Sequence, residues 1–154
     1  MEIFRVFESK TINAKDISQV NETVLPVVYT PKEYIQMILL PDHFVYHVQS
    51  DPEQKVIGYI VARLEKHENN TIKGHILSIS VLKEYQGRGI GKLLVGRLTT
   101  ELKTKNIKTV TLNVMKSNTN AVGFYRHIGF TKYKKLVKYY SGNKDGLQLI
   151  QALS

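Results

Sequence analysis

The chain has 154 residues, of which 42% are hydrophobic and 23% charged, and a formal net charge of +9. Its length predicts one domain spanning residues 1–154, and the lack of cysteine excludes disulfides, thiolate nucleophiles and sulfur-ligated metals. No apolar run approaches the ~18 residues that span a bilayer, and Met1–Arg5 has no signal-peptide character, so a cytoplasmic protein without membrane association is expected.

The first half of the chain predicts strands and two helices. Strand patterns occupy residues 3–7, 44–48, 55–64 and 75–82. Apolar residues at helical spacing predict a helix over 13–24. Thr30, Pro31 and Glu33 then supply the cap, the first turn and the capping box of a second helix, which ends before Pro41.

The second half continues the alternation. A long helix is predicted over 89–105, a strand over 110–115 and a short helix over 118–127 that Gly129 closes. Two final strands are expected at 130–136 and 147–153, around a loop containing Gly142 and Gly146. Strands and helices in this order indicate an α/β or α+β sheet with helices on its faces.

The turn Gln86-Gly87-Arg88-Gly89-Ile90-Gly91 joins a strand to the long helix. A helix start directs unpaired backbone N–H groups and partial positive charge at one spot, and glycine lets a phosphate approach the backbone. Arg88 and Lys92 add formal positive charge there. The spacing fits neither a P-loop nor a dinucleotide fingerprint, and the glycines alone are equally compatible with a plain tight turn.

Two segments together resemble the GNAT superfamily of acetyltransferases. The turn at 86–91 is similar to that superfamily's pyrophosphate motif, R/Q-x-x-G-x-G/A, and residues 118–130 (NTNAVGFYRHIGF) are similar to its second conserved block. The resemblance implies a mixed central sheet of about seven strands flanked by about four helices, with the fourth and fifth strands splayed. It also implies acetyl-CoA as cosubstrate and no metal.

The resemblance implies that acetyl-CoA lies between the splayed strands, at residues 78–81 and 110–115, with its pyrophosphate on residues 86–92. Asn118 would contact the pantetheine and Tyr125 the thioester sulfur, although a helix N-cap and a core aromatic are the plainer roles of these two residue types. The implied cofactor-binding residues are Ile79, Ser80, Val81, Gln86, Gly87, Arg88, Gly89, Ile90, Gly91, Lys92, Asn118 and Tyr125.

Further segments are similar to protein α-N-terminal acetyltransferases, including archaeal-type and NatE-type catalytic subunits. These segments are Leu25-Pro26-Val27-Val28-Tyr29, Gly74-His75-Ile76-Leu77-Ser78-Ile79 and Lys138-Tyr139-Tyr140. The acceptor pocket implied by this resemblance consists of Pro26, Val27, Tyr29, Leu77, Tyr139 and Tyr140. The plainer alternative is that these are ordinary surface and core residues.

Members of this family that act on small first residues often have Leu-Pro-Glu-Asn-Tyr at this turn, whereas members with Phe-Pro-Val-x-Tyr tend to take termini that retain methionine. The third position here is Val27. An apolar side chain contacts methionine well but cannot pair with a polar group, so the resemblance predicts a preference for termini that retain methionine.

The expected catalytic residues are His75, Asn113 and Tyr125. His75 matches the family's base position, and an imidazole suits an α-amino group with a pKa of about 8, although a lone histidine on a strand more often has a structural role. Asn113 occupies the position where this family often has a second base; it can hold a water but cannot accept a proton. Tyr125 is expected to protonate the departing thiolate, and backbone N–H groups at 79–81 to polarise the thioester carbonyl.

Other functions are compatible with the sequence. Acetylation of a lysine or a small amine fits the same fold, although lysine would need a stronger base than Asn113 provides. A non-catalytic module that binds acyl-CoA or nucleic acid is a second alternative, because residues 131–140 interleave lysines with tyrosines; His75 and Tyr125 argue against it. The expected partners are protein or peptide N-termini, with the ribosome or an auxiliary subunit as further candidates, and nucleic acid only through the ribosome.

Overall fold

The computed structural model describes residues 2–66, 68–140 and 142–154. These residues form a seven-stranded mixed sheet with four α-helices, which confirms the predicted fold class. The strands are β1 (Ile3–Glu8), β2 (His43–Asp51), β3 (Lys55–Lys66), β4 (Ile72–Val81), β5 (Thr109–Met115), β6 (Thr131–Tyr140) and β7 (Lys144–Ala152). The helices are α1 (Ala14–Val24), α2 (Pro31–Leu39), α3 (Ile90–Thr104) and α4 (Thr119–His127). Within this part of the chain, no helix is long and apolar enough to cross a membrane.

The sheet has the strand order β1-β2-β3-β4-β5-β7-β6, in which β4 and β5 are parallel and the other neighbours antiparallel. β4 and β5 pair only where residues 74–76 face residues 110–112. Beyond that point the two strands separate, as predicted, to form a fork. Separated strand edges offer backbone donors and acceptors with which an extended ligand can pair.

A β-bulge in β4 lies at the start of the fork. The β3–β4 register passes from Val61↔Ser78 to Ala62↔Ile76, so Leu77 is the extra residue. Because an extra residue shifts the pleat, Ser78 and His75 face the same side of the sheet although they are three residues apart. The bulge thereby places two polar side chains on one face where regular alternation would separate them.

The helices cover both faces of the sheet. Gly58 and Tyr59 are neighbours on β3 and so face opposite sides. A Cβ built on Gly58 would lie 3.5 Å from a methyl carbon of Ile90 in α3, whereas the Tyr59 ring centroid lies 5.7 Å from that of Tyr34 in α2. α3 therefore packs on one face, and α2, together with the adjoining α1, packs on the other.

The local capping signals are confirmed, and the last two strands differ from prediction. Thr30 and Glu33 form the predicted capping box, with Pro31 in the first turn. β6 continues to Tyr140, so Gly146 lies within β7 rather than in the loop between the strands. A Cβ on Gly146 would come within 2.6 Å of the Tyr140 ring. Glycine at this position thus makes room for a ring and does not form a turn.

Candidate active site

A cavity of about 470 Å³ lies along the end of β4, the glycine-rich turn and α4. All of the predicted cofactor-binding residues except Arg88 and Lys92 line it: Ile79, Ser80, Val81, Gln86, Gly87, Gly89, Ile90, Gly91, Asn118 and Tyr125. Five residues that sequence reasoning missed complete the lining, namely Val24, Tyr85, Asn120, Ala121 and Phe124. The fork and the predicted phosphate turn therefore open into one cavity.

The glycine-rich turn has the geometry that an anion site requires. Gly87 and Gly89 have φ of 79° and 82°, values that residues other than glycine rarely adopt, and a Cβ built on either would meet no atom within 4 Å beyond the adjacent residues. Gly89 caps α3 without a side-chain hydrogen bond, so the first N–H groups of that helix have no side-chain cap. A Cβ on Gly91 would lie 2.7 Å from the Phe124 ring, so this glycine serves the packing of α4 against α3.

The two predicted cofactor residues outside the cavity lining are Arg88 and Lys92. Arg88 Nη1 lies 2.8 Å from Glu2 Oε1, and the guanidinium carbon lies 5.1 Å from the Tyr85 ring centroid. A hydrogen bond from Ser50 and then the Arg88 contact lower the pKa of Glu2. Lys92 is exposed on the first turn of α3.

The other polar groups of the cavity suit an extended ligand. Gln86 Nε2 donates to the Val81 carbonyl at 3.0 Å, which ties the turn to the end of β4. Asn118 Oδ1 accepts from the Ala121 N–H at 3.2 Å, so Asn118 is a helix N-cap and also lines the cavity. Ser80 Oγ is buried without a hydrogen-bond partner among the described residues, which leaves a polar atom at the fork for a ligand. These residues fit acetyl-CoA.

Tyr125 lies in the cavity between the rings of Phe124 and Phe130, whose centroids are 5.3 Å and 5.9 Å away. Burial raises the pKa of Tyr125, and the nearby Tyr59 phenol raises it further. The phenol is therefore protonated at neutral pH, so its hydroxyl group can donate a hydrogen bond or act as a weak acid.

His75 lies at the base of the fork, on β4, and is buried, with 7% of its surface exposed. Its Nδ1 forms a hydrogen bond with Thr111 Oγ1 on β5 at 2.7 Å. Burial lowers the pKa of His75; Glu65 opposes this effect, while Lys73 and Arg63 add to it. The imidazole is therefore neutral near pH 7, which is the form that accepts a proton.

Asn113 lies two residues after Thr111 on β5 and so faces the same side of the sheet. Contacts at both ends of its carboxamide hold it in place. Its Oδ1 accepts from Gln148 Nε2 at 2.9 Å, and its Nδ2 donates to the Tyr139 hydroxyl at 3.3 Å. Gln148 Oε1 is buried and has no partner within the described part of the chain. Sequence reasoning missed Gln148 and Thr111; both are polar residues in apolar strands, and only the strand register brings them beside Asn113 and His75.

The segment between α1 and α2, residues 25–29, is named here the acceptor loop. Asn21, fully buried in α1, fixes its backbone: Nδ2 donates to the Val27 carbonyl at 2.9 Å, and Oδ1 accepts from the Tyr29 N–H at 2.9 Å. Val27 itself is 69% exposed, and Pro26 is exposed. The loop begins one residue after Val24, which lines the cavity.

The remaining predicted acceptor residues lie on β4 and β6. Tyr139 and Tyr140 contact each other edge to face, with ring centroids 5.0 Å apart, and burial raises the pKa of Tyr140. The Tyr139 hydroxyl reaches Asn113, which connects the tandem tyrosines to the fork. Leu77 is the bulge residue and is partly buried against the core.

In the part of the chain that the structure describes, no group of three or more His, Asp or Glu residues is arranged to hold a metal ion. The polar residues at the fork are instead a histidine, two carboxamides and hydroxyl groups. This set can orient an amine and a carbonyl and can accept one proton.

Comparison with known proteins agrees with this chemistry. The acetyltransferase (GNAT) family model matches residues 14–130. An Arabidopsis thaliana protein named N-terminal acetyltransferase B complex catalytic subunit NAA20 is 35% identical over 116 residues, which are 74% of this chain and 64% of that protein. An N-alpha-acetyltransferase of Sulfurisphaera tokodaii is 29% identical over 150 residues, 92% of this chain and 89% of that protein.

A solved structure extends the likeness to the whole fold. Arabidopsis thaliana Naa50 in complex with the bisubstrate analogue CoA-Ac-MVNAL superposes with a TM-score of 0.80 at 25% identity, covering 96% of this chain and 97% of that one. The chain therefore belongs to the GNAT acetyltransferase family, among its protein N-terminal acetyltransferases, and is an N-acetyltransferase that uses acetyl-CoA.

Proposed function

We propose that the enzyme acetylates the α-amino group of protein N-termini that retain methionine, by direct attack of the amine on bound acetyl-CoA. The observation that carries the proposal is that two features meet at the fork between β4 and β5. The cavity with the predicted cofactor residues runs along the end of β4, and His75 lies at the base of the fork. The acceptor loop begins next to Val24, which lines this cavity, so the loop adjoins the cavity as well.

The cofactor residues divide into two groups by the part of acetyl-CoA that they suit. The first N–H groups of α3 and the open glycines suit the pyrophosphate. The free strand edges of the fork suit the amide groups of the pantetheine arm. Holding both ends brings the thioester to the fork, where an oriented amine attacks at high effective concentration.

His75 is the proposed base. A neutral amine forms the new C–N bond with the thioester carbonyl carbon, the C–S bond breaks, and the proton lost by the amine passes to the imidazole, directly or through a water. Thr111 engages Nδ1, so the exchange runs through Nε2. The lowered pKa of His75 makes it a weak base that is nevertheless deprotonated near neutral pH, which suits an α-amine better than the more basic lysine amine.

Tyr125 is proposed to donate a hydrogen bond to the sulfur as negative charge develops on it. A full proton transfer is less favourable, because the raised pKa makes the phenol a much weaker acid than a thiol. This changes the sequence-based expectation from protonation of the leaving group to electrostatic stabilisation of it.

The acceptor preference is proposed from the surface around the fork. Val27 offers an exposed apolar side chain, and Tyr139 and Tyr140 offer aromatic surface. Asn113 adds a carboxamide that can orient the peptide or a water. The analogue bound by Arabidopsis Naa50, CoA-Ac-MVNAL, carries a methionine-first peptide, which supports the same preference here.

An auxiliary subunit is proposed as a partner, since the Arabidopsis relative is named as a catalytic subunit of a complex. Two large apolar side chains are notably exposed near the ends of α1 and α2: Ile12 at 84% and Leu39 at 69%. Docking to the ribosome and a cytoplasmic location stay predictions.

The test is mass spectrometry of peptides that differ in their first residue and share one internal lysine, mixed with enzyme and acetyl-CoA. We expect acetyl on the α-amine, formed fastest on methionine-first peptides. Faster reaction of serine- or alanine-first peptides would overturn the methionine preference alone. Acetyl on the lysine only would overturn the acceptor class.

A further inference from the structure

We propose that four positioning residues together fix the acceptor loop relative to β4, the strand along which acetyl-CoA is proposed to lie. These residues are Asn21, Tyr34, Tyr59 and Ser78. These four residues are named the polar string. The inference rests on the proposed function in one respect, because it takes residues 25–29 as the acceptor loop.

Asn21 forms the loop end of the polar string. Its carboxamide fixes the acceptor loop at two backbone positions, the Val27 carbonyl and the Tyr29 N–H. Asn21 is fully buried, so these bonds are made away from water and a lost partner leaves a buried polar group unsatisfied.

Tyr34 forms the middle of the polar string. Its hydroxyl donates to Asn21 Oδ1 at 2.7 Å, so one oxygen accepts from both Tyr34 and the Tyr29 N–H. The Tyr34 ring packs edge-on between two others, with centroids 5.8 Å from Tyr29 and 5.7 Å from Tyr59. Tyr34 and Tyr59 are both fully buried, which restricts their movement.

The strand end of the polar string is Ser78. The Tyr59 hydroxyl and Ser78 Oγ are hydrogen bonded at 2.7 Å. Ser78 faces this side because of the bulge at Leu77, and it directly precedes Ile79, which lines the cofactor cavity. A ligand that orders β4 at Ile79 therefore also restrains Ser78 and, through the polar string, the acceptor loop.

The chemistry of the polar string favours a positional role over proton transport. A chain of hydroxyls can pass a proton, but this one ends at the carboxamide of Asn21, which is not a proton-exchanging group near neutral pH. The polar string therefore positions the acceptor loop, whereas the proposed acceptor of the proton is His75.

The first experiment follows amide hydrogen exchange in residues 25–29 with CoA as the probe. Tyr34→Phe removes one hydroxyl and keeps the ring. Tyr46→Phe is the matched control, because Tyr46 is also a buried tyrosine but packs against Arg97 of α3, outside the polar string. Without CoA, we expect amide exchange in the acceptor loop to be about 5- to 10-fold faster in Tyr34→Phe than in the unmodified enzyme, and unchanged in Tyr46→Phe. Addition of CoA should slow this exchange in the unmodified enzyme and in Tyr46→Phe, but not in Tyr34→Phe.

The second experiment separates the two substrates kinetically. Tyr34→Phe and Tyr59→Phe should each raise KM for a methionine-first peptide about fivefold, with kcat and the KM for acetyl-CoA changed less than about twofold. The double variant should be no worse than the poorer single variant, because each change breaks the same string.

Three results would overturn the inference: equal loop exchange in Tyr34→Phe and Tyr46→Phe, additive effects of the two Phe variants, or a matching rise in KM for acetyl-CoA. If the unmodified enzyme acetylates no α-amine, the proposed function fails instead, and the exchange experiment, which uses no acceptor, still decides the role of the polar string.

Discussion

The proposed cofactor side and the proposed acceptor side of the fork are built in different ways. On the cofactor side, backbone geometry dominates: glycines with positive φ, the start of α3 and the separated edge of β4. On the acceptor side, side chains from distant parts of the chain hold the site, as Asn21 holds the acceptor loop and Gln148 holds Asn113. A backbone site is set by a short segment, whereas a side-chain site depends on the whole tertiary structure.

The largest loss of activity is expected from Gly89→Val, which tests the role of backbone geometry on the proposed cofactor side. A β-branched residue at φ of 82° is strained, and its side chain would occupy the open space of the glycine-rich turn at residues 86–91. Strain and lost charge-assisted hydrogen bonds together should lower kcat/KM for acetyl-CoA about 100- to 1,000-fold, measured by steady-state kinetics and by CoA titration calorimetry.

Gly96→Ala is the matched control for this change, since Gly96 lies inside α3 and a Cβ built on it would meet no atom within 4 Å beyond its chain neighbours and the backbone of the helix itself. It should raise the unfolding free energy by about 1 kcal/mol and leave the KM for acetyl-CoA unchanged. Normal CoA binding by the Gly89→Val protein would refute the assignment of the turn to the pyrophosphate.

The same division explains what the sequence predicts and what it does not. The capping box at Thr30 and Glu33 and the turn at 86–91 are set by neighbours within a few residues, and both have recognisable patterns. The bulge at Leu77 has no local signal, because it is defined by the register against β3. Thr111 and Asn21 are likewise ordinary polar residues until the fold brings their partners close.

The next largest effect is expected from His75→Gln. Burial lowers the pKa of His75, so the imidazole can serve as the proposed base above that lowered pKa and loses this capacity as the pH falls through it. Glutamine keeps a polar side chain but cannot take the proton. We expect kcat to fall about 100-fold at pH 6.5 and to recover partly by pH 9, where the free amine is already neutral.

A pH–rate series on a methionine-first peptide measures this difference. The control is Thr111→Val, which keeps the base and removes only its hydrogen bond, so a smaller loss with the wild-type pH trend is expected. A His75→Gln loss that is the same at every pH would show that His75 is structural rather than the base.

A smaller effect is expected from Tyr125→Phe, which keeps the ring between Phe124 and Phe130 and removes the hydroxyl. Loss of one hydrogen bond to a developing charge should lower kcat about 10- to 100-fold, with the KM for acetyl-CoA within about twofold. Since the pKa of Tyr125 is raised, the unmodified enzyme should show no fall in kcat up to about pH 10 from this phenol. Unchanged kcat in the variant would remove Tyr125 from the mechanism.

The smallest effect is expected from Val27→Asn. This variant tests whether contact with the Val27 side chain determines which first residue of the peptide the enzyme prefers. Val27 is largely exposed and its backbone carbonyl, not its side chain, bonds to Asn21, so the variant should fold with an unchanged melting temperature. Replacing apolar surface by a carboxamide should lower kcat/KM for methionine-first peptides relative to serine-first peptides about 3- to 10-fold. Competition of the two peptides in one reaction, read by mass spectrometry, gives the ratio directly. An unchanged ratio would shift the choice of first residue from Val27 to the tandem tyrosines, whose position depends on β6 and β7 rather than on the acceptor loop.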